Sequence, residues 1–437
     1  MSKKMRYAVE KLKDVLIVLL TCSALWLAAQ GYFQDTGRSS GALPAPPETG
    51  ENRLPDSTGM ARPLRIAANR VGENREGRCL VQFDQKAVDD LFQRTAGLLV
   101  EALSSAQPPE EVDRETWEKA LTELPGLTFD FRGEVPIPVL MGWLTGGTTP
   151  VTGTVSTVTL AVEGEDVMLY YREEERDACF ASLTRAVNRT HLEEALASLS
   201  DNGAYYAFQT DWGEDLDPDA LFQPNIPPLP VYGARNPVSA GGADMEALLS
   251  RLGIPLNTTS FYASGDELVA RNGTDMFRLS ELGSIHYEND GAPSGRFPVL
   301  PLQNADRLTE TVEACRSLTA ATLLPTAGEA RLFLASVQEQ EDGVEVAFDY
   351  ALNGMPVVLS SGHAARFLVR NGAILRFDLQ FRSYADSGVT VPVMPPRQAT
   401  AALEAEAEGR EELLLICSDS LGDTVYPGWG AARTEED

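Results

Sequence analysis

Three histidines, His191, His286 and His363, are the side chains from which a site for acid-base or metal chemistry near neutral pH would be built. None sits in a phrase that prepares such chemistry. His191 opens His-Leu-Glu-Glu, not the His-Glu-x-x-His that sets two zinc ligands one helical turn apart. No Ser-x-x-Lys and no phosphate-cradling Gly-Lys-Ser or Gly-Lys-Thr occurs, and beyond residue 14 the only lysines are Lys86 and Lys119, which narrows Ser-Lys and Schiff-base mechanisms. Cys79, Cys179, Cys315 and Cys417 form no Cys-x-x-Cys and are far apart in sequence, so they make no metal pattern. In an oxidising compartment they can pair in three ways; four buried free thiols fit the sequence equally well. A carboxylate cluster, Asp211, Glu214, Asp215, Asp217 and Asp219, lies beside Trp212. As a Ca²⁺ loop it fails, because Gly213 comes too early for the EF-hand order, and we read it as a solvated charge run. The expectation is therefore no catalytic residue, no metal and no cofactor.

The elements that would hold these residues follow from periodicity. Leu64 to Val71 and Arg78 to Phe83 read as strands. Asp84 is placed to cap a helix through Val88, Leu91, Phe92, Leu98, Leu99 and Leu103, and Asp113 to Leu124 reads as a second helix. Leu127 to Phe131, Thr152 to Val162 and Asp166 to Tyr171 read as strands, and Thr190 with Glu193 has the form of a capping box opening a helix to Leu199. Six prolines between Asp215 and Pro237 suggest an extended connector. A helix Asp244 to Leu252 and strands from Phe261 to Tyr287 follow. A longer helix is then expected from Asn304 to Leu324, with four strands between Ala330 and Ser383, a helix from Pro395 through Ala407, and a strand Leu413 to Cys417. Leu268-Val269-Ala270-Arg271-Asn272-Gly273 and Leu368-Val369-Arg370-Asn371-Gly372 echo each other, each a strand running into Asn-Gly, which suggests two related hairpins.

The formal net charge of -28 argues against nucleic acid and against docking on an anionic lipid surface. At the N-terminus, Val15 to Ala29 carries no charge. At about 1.5 Å per helical residue this run spans roughly 22 Å, and Leu12, Tyr32 and Phe33 extend it toward the roughly 30 Å of a bilayer core. Lys3, Lys4, Arg6, Lys11 and Lys13 precede it and hold the N-terminus on the cytoplasmic side. A cleaved signal peptide is the competing reading, but a cut after Ala29 would put Leu27 where a small residue is needed, so we read a retained single-pass anchor. Thr21, Ala24 and Ala28 line one helical face with small side chains, which lets another membrane helix approach closely. The expected organisation is a cytoplasmic tail (1-14), a transmembrane anchor (15-33), a flexible spacer (34-62) and an N-terminal α+β domain (63-214). A proline-rich connector (215-240), a middle sheet-and-helix module (241-303), a C-terminal α+β module (304-430) and a tail (431-437) complete it.

Several phrases resemble the YycH and YycI extracytoplasmic regulators of Gram-positive bacteria. They are Gly283-Ser284-Ile285-His286-Tyr287, Phe348-Asp349-Tyr350 followed by Asn353-Gly354-Met355-Pro356-Val357, Val369-Arg370-Asn371-Gly372-Ala373-Ile374, and the closing Tyr426-Pro427-Gly428-Trp429. The overlap is clearest from about 244 to 430, where the C-terminal module looks like PepSY-type domains. The resemblance implies an α+β protein with two related antiparallel-sheet-plus-helix modules. It also implies a membrane-anchored, non-enzymatic regulator of an essential sensor histidine kinase of cell-wall homeostasis, in contact with that kinase and a sister regulator. Two other classes stay open on the residues alone: an exported hydrolase or peptidase with its site in the N-terminal domain, and a peptide- or glycan-binding module using Trp143, Tyr205, Tyr206 and Trp212. For those aromatics, burial in a core is the expectation.

Overall fold

The structure, a computed structural model, describes residues 59-432 apart from 73, 75, 174-175, 214-215, 239-241, 290-295, 341-342 and 404-411. The tail at 1-14, the anchor at 15-33 with Thr21, Ala24 and Ala28, and the spacer up to residue 58 lie outside the described residues. Among the described residues no helix is long and apolar enough to cross a membrane.

The first sheet is built around the strand Thr154–Glu163, whose run Thr-Val-Ser-Thr-Val-Thr is rich in β-branched residues. Its strands are β1 (Arg65–Val71), β2 (Gly77–Val81), β3 (Glu110–Val112), β4 (Gly126–Pro136), β5 (Thr154–Glu163), β6 (Asp166–Glu173) and β7 (Ala178–Thr184), in the order β2-β1-β4-β5-β6-β7-β3. Both faces are covered. Ile66, Phe129, Val158, Leu160, Leu169 and Tyr171 meet helices α1 (Gln85–Ser105) and α4 (Arg189–Ala197), while Ala67, Ala161, Tyr170 and Cys179 meet Trp117 and Leu121 of α2 (Arg114–Thr122). The Asp84 carboxylate accepts from the Ala87 amide, so the expected cap forms, and the Asp113 carboxylate caps α2 in the same way by accepting from the Thr116 amide. Helix α3 (Ile137–Thr145), apolar nearly all round, leads toward the C-terminal half.

The second half holds β8 (Tyr205–Tyr206), β9 (Leu221–Phe222), β10 (Leu229–Arg235), α5 (Gly242–Arg251), β11 (Ser260–Ser264), β12 (Glu267–Asn272), β13 (Asp275–Ser280), β14 (Ser284–Asn289) and β15 (Phe297–Pro298). After α6 (Arg307–Thr322) come β16 (Arg331–Gln340), β17 (Gly343–Leu352), β18 (Met355–Leu359), β19 (Ala365–Arg370), β20 (Ala373–Gln380) and β21 (Ser383–Val391), then α7 (Pro396–Leu403), β22 (Glu412–Asp419) and β23 (Thr424–Ala432). Antiparallel pairing runs β11-β12-β13-β14-β20-β19-β17-β16, and at the far end of β17 the ladder continues through β18, β22, β23, β10 and β21. The α+β class is as expected, with the sheets antiparallel apart from the parallel β18-β22 pair.

Several expectations are corrected by this pairing. The stretch 215-240 is not an unpaired connector: β10 lies in the sheet between β21 and β23, burying Leu229, Val231, Tyr232 and Ala234. Pro230 is tolerated because β23 pairs only with Tyr232 and Gly233, so the missing amide of Pro230 has no ladder to serve on that side. The strands expected as two related modules form one continuous ladder, since β14 pairs with β20. Their two Asn-Gly turns also differ. In β19-β20 the loop is Asn371-Gly372, both at positive φ (54° and 78°), whereas Asn272 pairs with Asp275, leaving a Gly273-Thr274 loop in which Gly273 alone is at positive φ (64°). Finally, α4 is capped by Asn188, whose side chain accepts from the Thr190 and His191 amides, while Glu193 pairs with Arg189 instead of closing a box with Thr190.

Candidate functional site

The open face of the second sheet carries a row of titratable groups. Alternation along β13, β14, β20, β19 and β17 sends one residue in two to each side. Inward goes a row of rings, Phe277, Tyr287, Phe377 and Phe367, with neighbouring centroids 4.8, 4.7 and 6.0 Å apart. Outward, one residue along, goes the row Arg278, His286, Asp378 and Arg366, followed by Met276, Glu288, Arg376, Leu368 and Glu345. Opposite charges therefore face each other across strands, an arrangement that stabilises antiparallel pairs.

Two of the three histidines belong to this face. Nδ1 of His286 donates to Oδ1 of Asp378 at 2.7 Å, and its Nε2 lies 3.9 Å from Glu288. Nδ1 of His363 donates to Oδ2 of Asp349 at 2.9 Å, and the other oxygen of Asp349 accepts from the Ala364 amide. The hydrogen bond to Asp378 raises the pKa of His286 above 6.5, helped by the charges of Asp378 and Glu288 and opposed by partial burial and Arg278. The bond to Asp349 does the same for His363, with Glu345 assisting and burial and Arg366 opposing. A raised folded-state value means stabilisation that is complete below about pH 6.5 and is lost as pH rises through the folded values. We expect the denaturation midpoint to fall across this interval, and His286→Asn with His363→Asn to flatten the fall. Equal slopes for wild type and the double variant would contradict the assignment.

Glu214 and Asp215 of the carboxylate run lie outside the described residues, while Asp219, the four aromatics and the four described cysteines have structural surroundings. Asp219, expected in a solvated run, is an ionic hub: Arg114 donates to both its oxygens (2.5 and 3.1 Å), Arg172 to Oδ2 (3.0 Å) and the Trp117 indole to Oδ1 (3.2 Å). A carboxylate so saturated by cations is not a metal ligand, and among the described residues no cluster of His, Cys, Asp and Glu is arranged to hold a metal ion. The binding-platform aromatics are packed away: Trp143 and Tyr206 are buried, and Tyr205 and Trp212 lie against Phe222. Cys79, Cys179, Cys315 and Cys417 are free and buried. Burial pushes the Cys79 thiol up to about 11 and Cys417 up to about 12, away from nucleophilic thiolate. A recess of ≈ 30 Å³ lies among Arg65, Phe83, Arg132, Gln223, Pro356 and Trp429, far smaller than the roughly 300 Å³ at which small-molecule sites begin.

The phrases behind the family resemblance acquire physical roles. Asn353, in the β17-β18 turn, accepts from the Gln85 amide at 2.7 Å and donates to the Phe83 carbonyl at 2.5 Å, fastening the second sheet to the start of α1. Gly354 follows at φ 83°, where a Cβ would come within 2.7 Å of the Leu64 carbonyl. Trp143 of α3 donates to Glu313 of α6, which also holds Arg316 by two hydrogen bonds. Sequence patterns did not announce these contacts, because they depend on which residues meet across the halves.

The fold is that of an α+β protein with two large, mainly antiparallel sheets, the second with a polar outer face. Among solved structures it is similar to the crystal structure of YycH from Bacillus subtilis, with a TM-score of 0.57 and 9% identity over 87% of this chain and 95% of that one. At this identity the likeness is one of fold. The chain matches no family model and no curated protein sequence.

Proposed function

We propose that this protein is a membrane-anchored, non-enzymatic accessory regulator of a sensor histidine kinase that controls cell-wall homeostasis, working beside a sister regulator. The observation that carries the reading is the fold shared with YycH over 87% of the chain, together with the phrases in 244-430 that resemble that family. The described chemistry supports it: each of the two histidines on the open face is engaged by a carboxylate, and the four described thiols are buried. A polar face with alternating charge is suited to reversible protein contacts, where charge complementarity sets specificity more than affinity.

In this reading the anchor at 15-33 crosses the membrane, the Thr21, Ala24 and Ala28 face packs on a kinase transmembrane helix, and the outer domain touches the sensor domain. A binding difference of about 1–3 kcal/mol between two signalling states is enough to move the kinase population several-fold or more. Ala24→Leu with Ala28→Leu places bulk on the packing face. We expect kinase co-purified from membranes with full-length protein to drop several-fold in this variant; an unchanged yield would remove that face from the interaction.

A further inference from the structure

A sheet edge offers unpaired backbone donors and acceptors, and proteins usually blunt it with charge, bulges or covering loops. The edges at β2, β3 and β21 follow this rule. Beside β2, Asn202 imitates a strand: its side-chain oxygen accepts from the Leu80 amide, its side-chain nitrogen donates to the Leu80 carbonyl, and its own amide donates to the Arg78 carbonyl. β3 exposes Glu110 and Glu111. The start of β21 is covered by Ala327 and Glu329, which bond the backbone of Tyr384, and its pairing with β10 is bulged at Val231/Tyr232. β11 differs. Ser260-Phe261-Tyr262-Ala263-Ser264 has no charge and no proline, all five residues are exposed, Phe261 at 37% and Tyr262 at 47%, and its one ladder partner among the described residues is β12.

The five residues are also complementary to themselves when run antiparallel. We propose that β11 pairs with β11 of a second copy of this chain about a two-fold axis through Tyr262, making one sheet continuous across both molecules. Ser260 then faces Ser264 of the second copy, Tyr262 faces Tyr262, and large Phe261 faces small Ala263. The β12 register extends the match. On the Phe261 side each row reads Ala270, Phe261, Ala263, Leu268 across the two molecules, apolar throughout. On the Tyr262 side the central row is Val269, Tyr262, Tyr262, Val269, and the rows flanking it read Arg271, Ser260, Ser264, Glu267. Arg271 of each copy is thus opposite Glu267 of the other, three strand spacings or about 14 Å apart at the backbone, with only serines between for the long side chains to cross. Both charges are loosely held within one molecule: Arg271 reaches the Gly273 carbonyl at 3.5 Å, and Glu267 lies 4.0 Å from Arg278. An isologous contact needs such self-complementarity, in apolar size and in charge.

The test is cross-linking of the full-length protein in membranes, in a Cys22→Ser background so that the remaining native thiols are the four buried ones. Tyr262→Cys should give a disulfide-linked dimer on mild oxidation, and Leu282→Cys, exposed but off this edge, should not. Adding Arg271→Glu should remove the cross-link by putting two acidic residues in each outer row. Adding Glu267→Arg to that variant restores opposite charges and should restore the cross-link. Absence of a Tyr262→Cys dimer, or a dimer indifferent to the charge changes, would overturn the proposal.

Discussion

Replacing Asp419 by alanine is expected to destabilise the fold by ~3–5 kcal/mol, because it strands a buried cation. Asp419 ends β22, and its side chain is inaccessible to solvent, while that of Arg382 is 3% exposed. The guanidinium donates to both carboxylate oxygens, at 2.7 and 2.9 Å, the Tyr384 hydroxyl donates to Oδ2 at 2.8 Å, and the Leu421 amide donates to Oδ1 at 2.7 Å. This knot joins the corner between β20 and β21 to the parallel β18-β22 pair. Burial and the nearby Asp419 charge push the Tyr384 phenol up, so it stays a hydrogen-bond donor at ordinary pH. Alanine leaves Arg382 without its counter-charge and Tyr384 without its acceptor. The denaturant midpoint of Asp419→Ala reads the loss. Removing both charges, Asp419→Leu with Arg382→Met, should recover much of it, since an apolar pair carries no desolvation penalty. A double variant no better than the single one would refute this account of the knot.

The second large effect belongs to the ring row beneath the open face. Phe377 sits in its middle, stacked on Tyr287 at 4.7 Å and in contact with Phe297, Phe367 and Phe277. Truncation to alanine removes a fully buried ring and leaves a cavity walled by four others, for an expected loss of ~3–5 kcal/mol. Its sequence neighbours point the other way: Arg376 is exposed, and Arg376→Ala should change stability by no more than about 0.5 kcal/mol. The contrast tests register, because a slip of one residue would exchange the two faces. Comparable losses for both variants would mean that the strand does not lie as described.

Much of this architecture was legible because period and caps are local signals. Asp84 announces α1, the helical spacing from Asp113 to Leu124 announces α2, and Phe348 and Tyr350 announce the buried side of β17. What escaped depends on neighbours. Helix α3 lacks a polar face because it lies between the halves, and β21 and β23 carry glycine and polar residues whose strand character comes from pairing. The prolines near β10 spoke for extended backbone, which was right, but not for a partner, which the register supplies. Asp219 looked like one charge in a run until the fold brought Arg114 and Arg172 to it from α2 and β6. His286 and His363 gave no motif, since His286 finds Asp378 across strands and His363 finds Asp349 of β17 from the loop before β19. The Asn-Gly echo shows the opposite failure: equal letters at different registers make different turns.

The most direct test of the proposed function is a membrane pull-down of the tagged full-length protein with partner identification, alongside the same protein lacking residues 1 to 30. The account predicts that a sensor histidine kinase comes down with the full chain and is lost or strongly reduced without the N-terminal stretch. Absence of any kinase from the full-length sample would contradict it, and would leave the likeness to YycH as one of fold only.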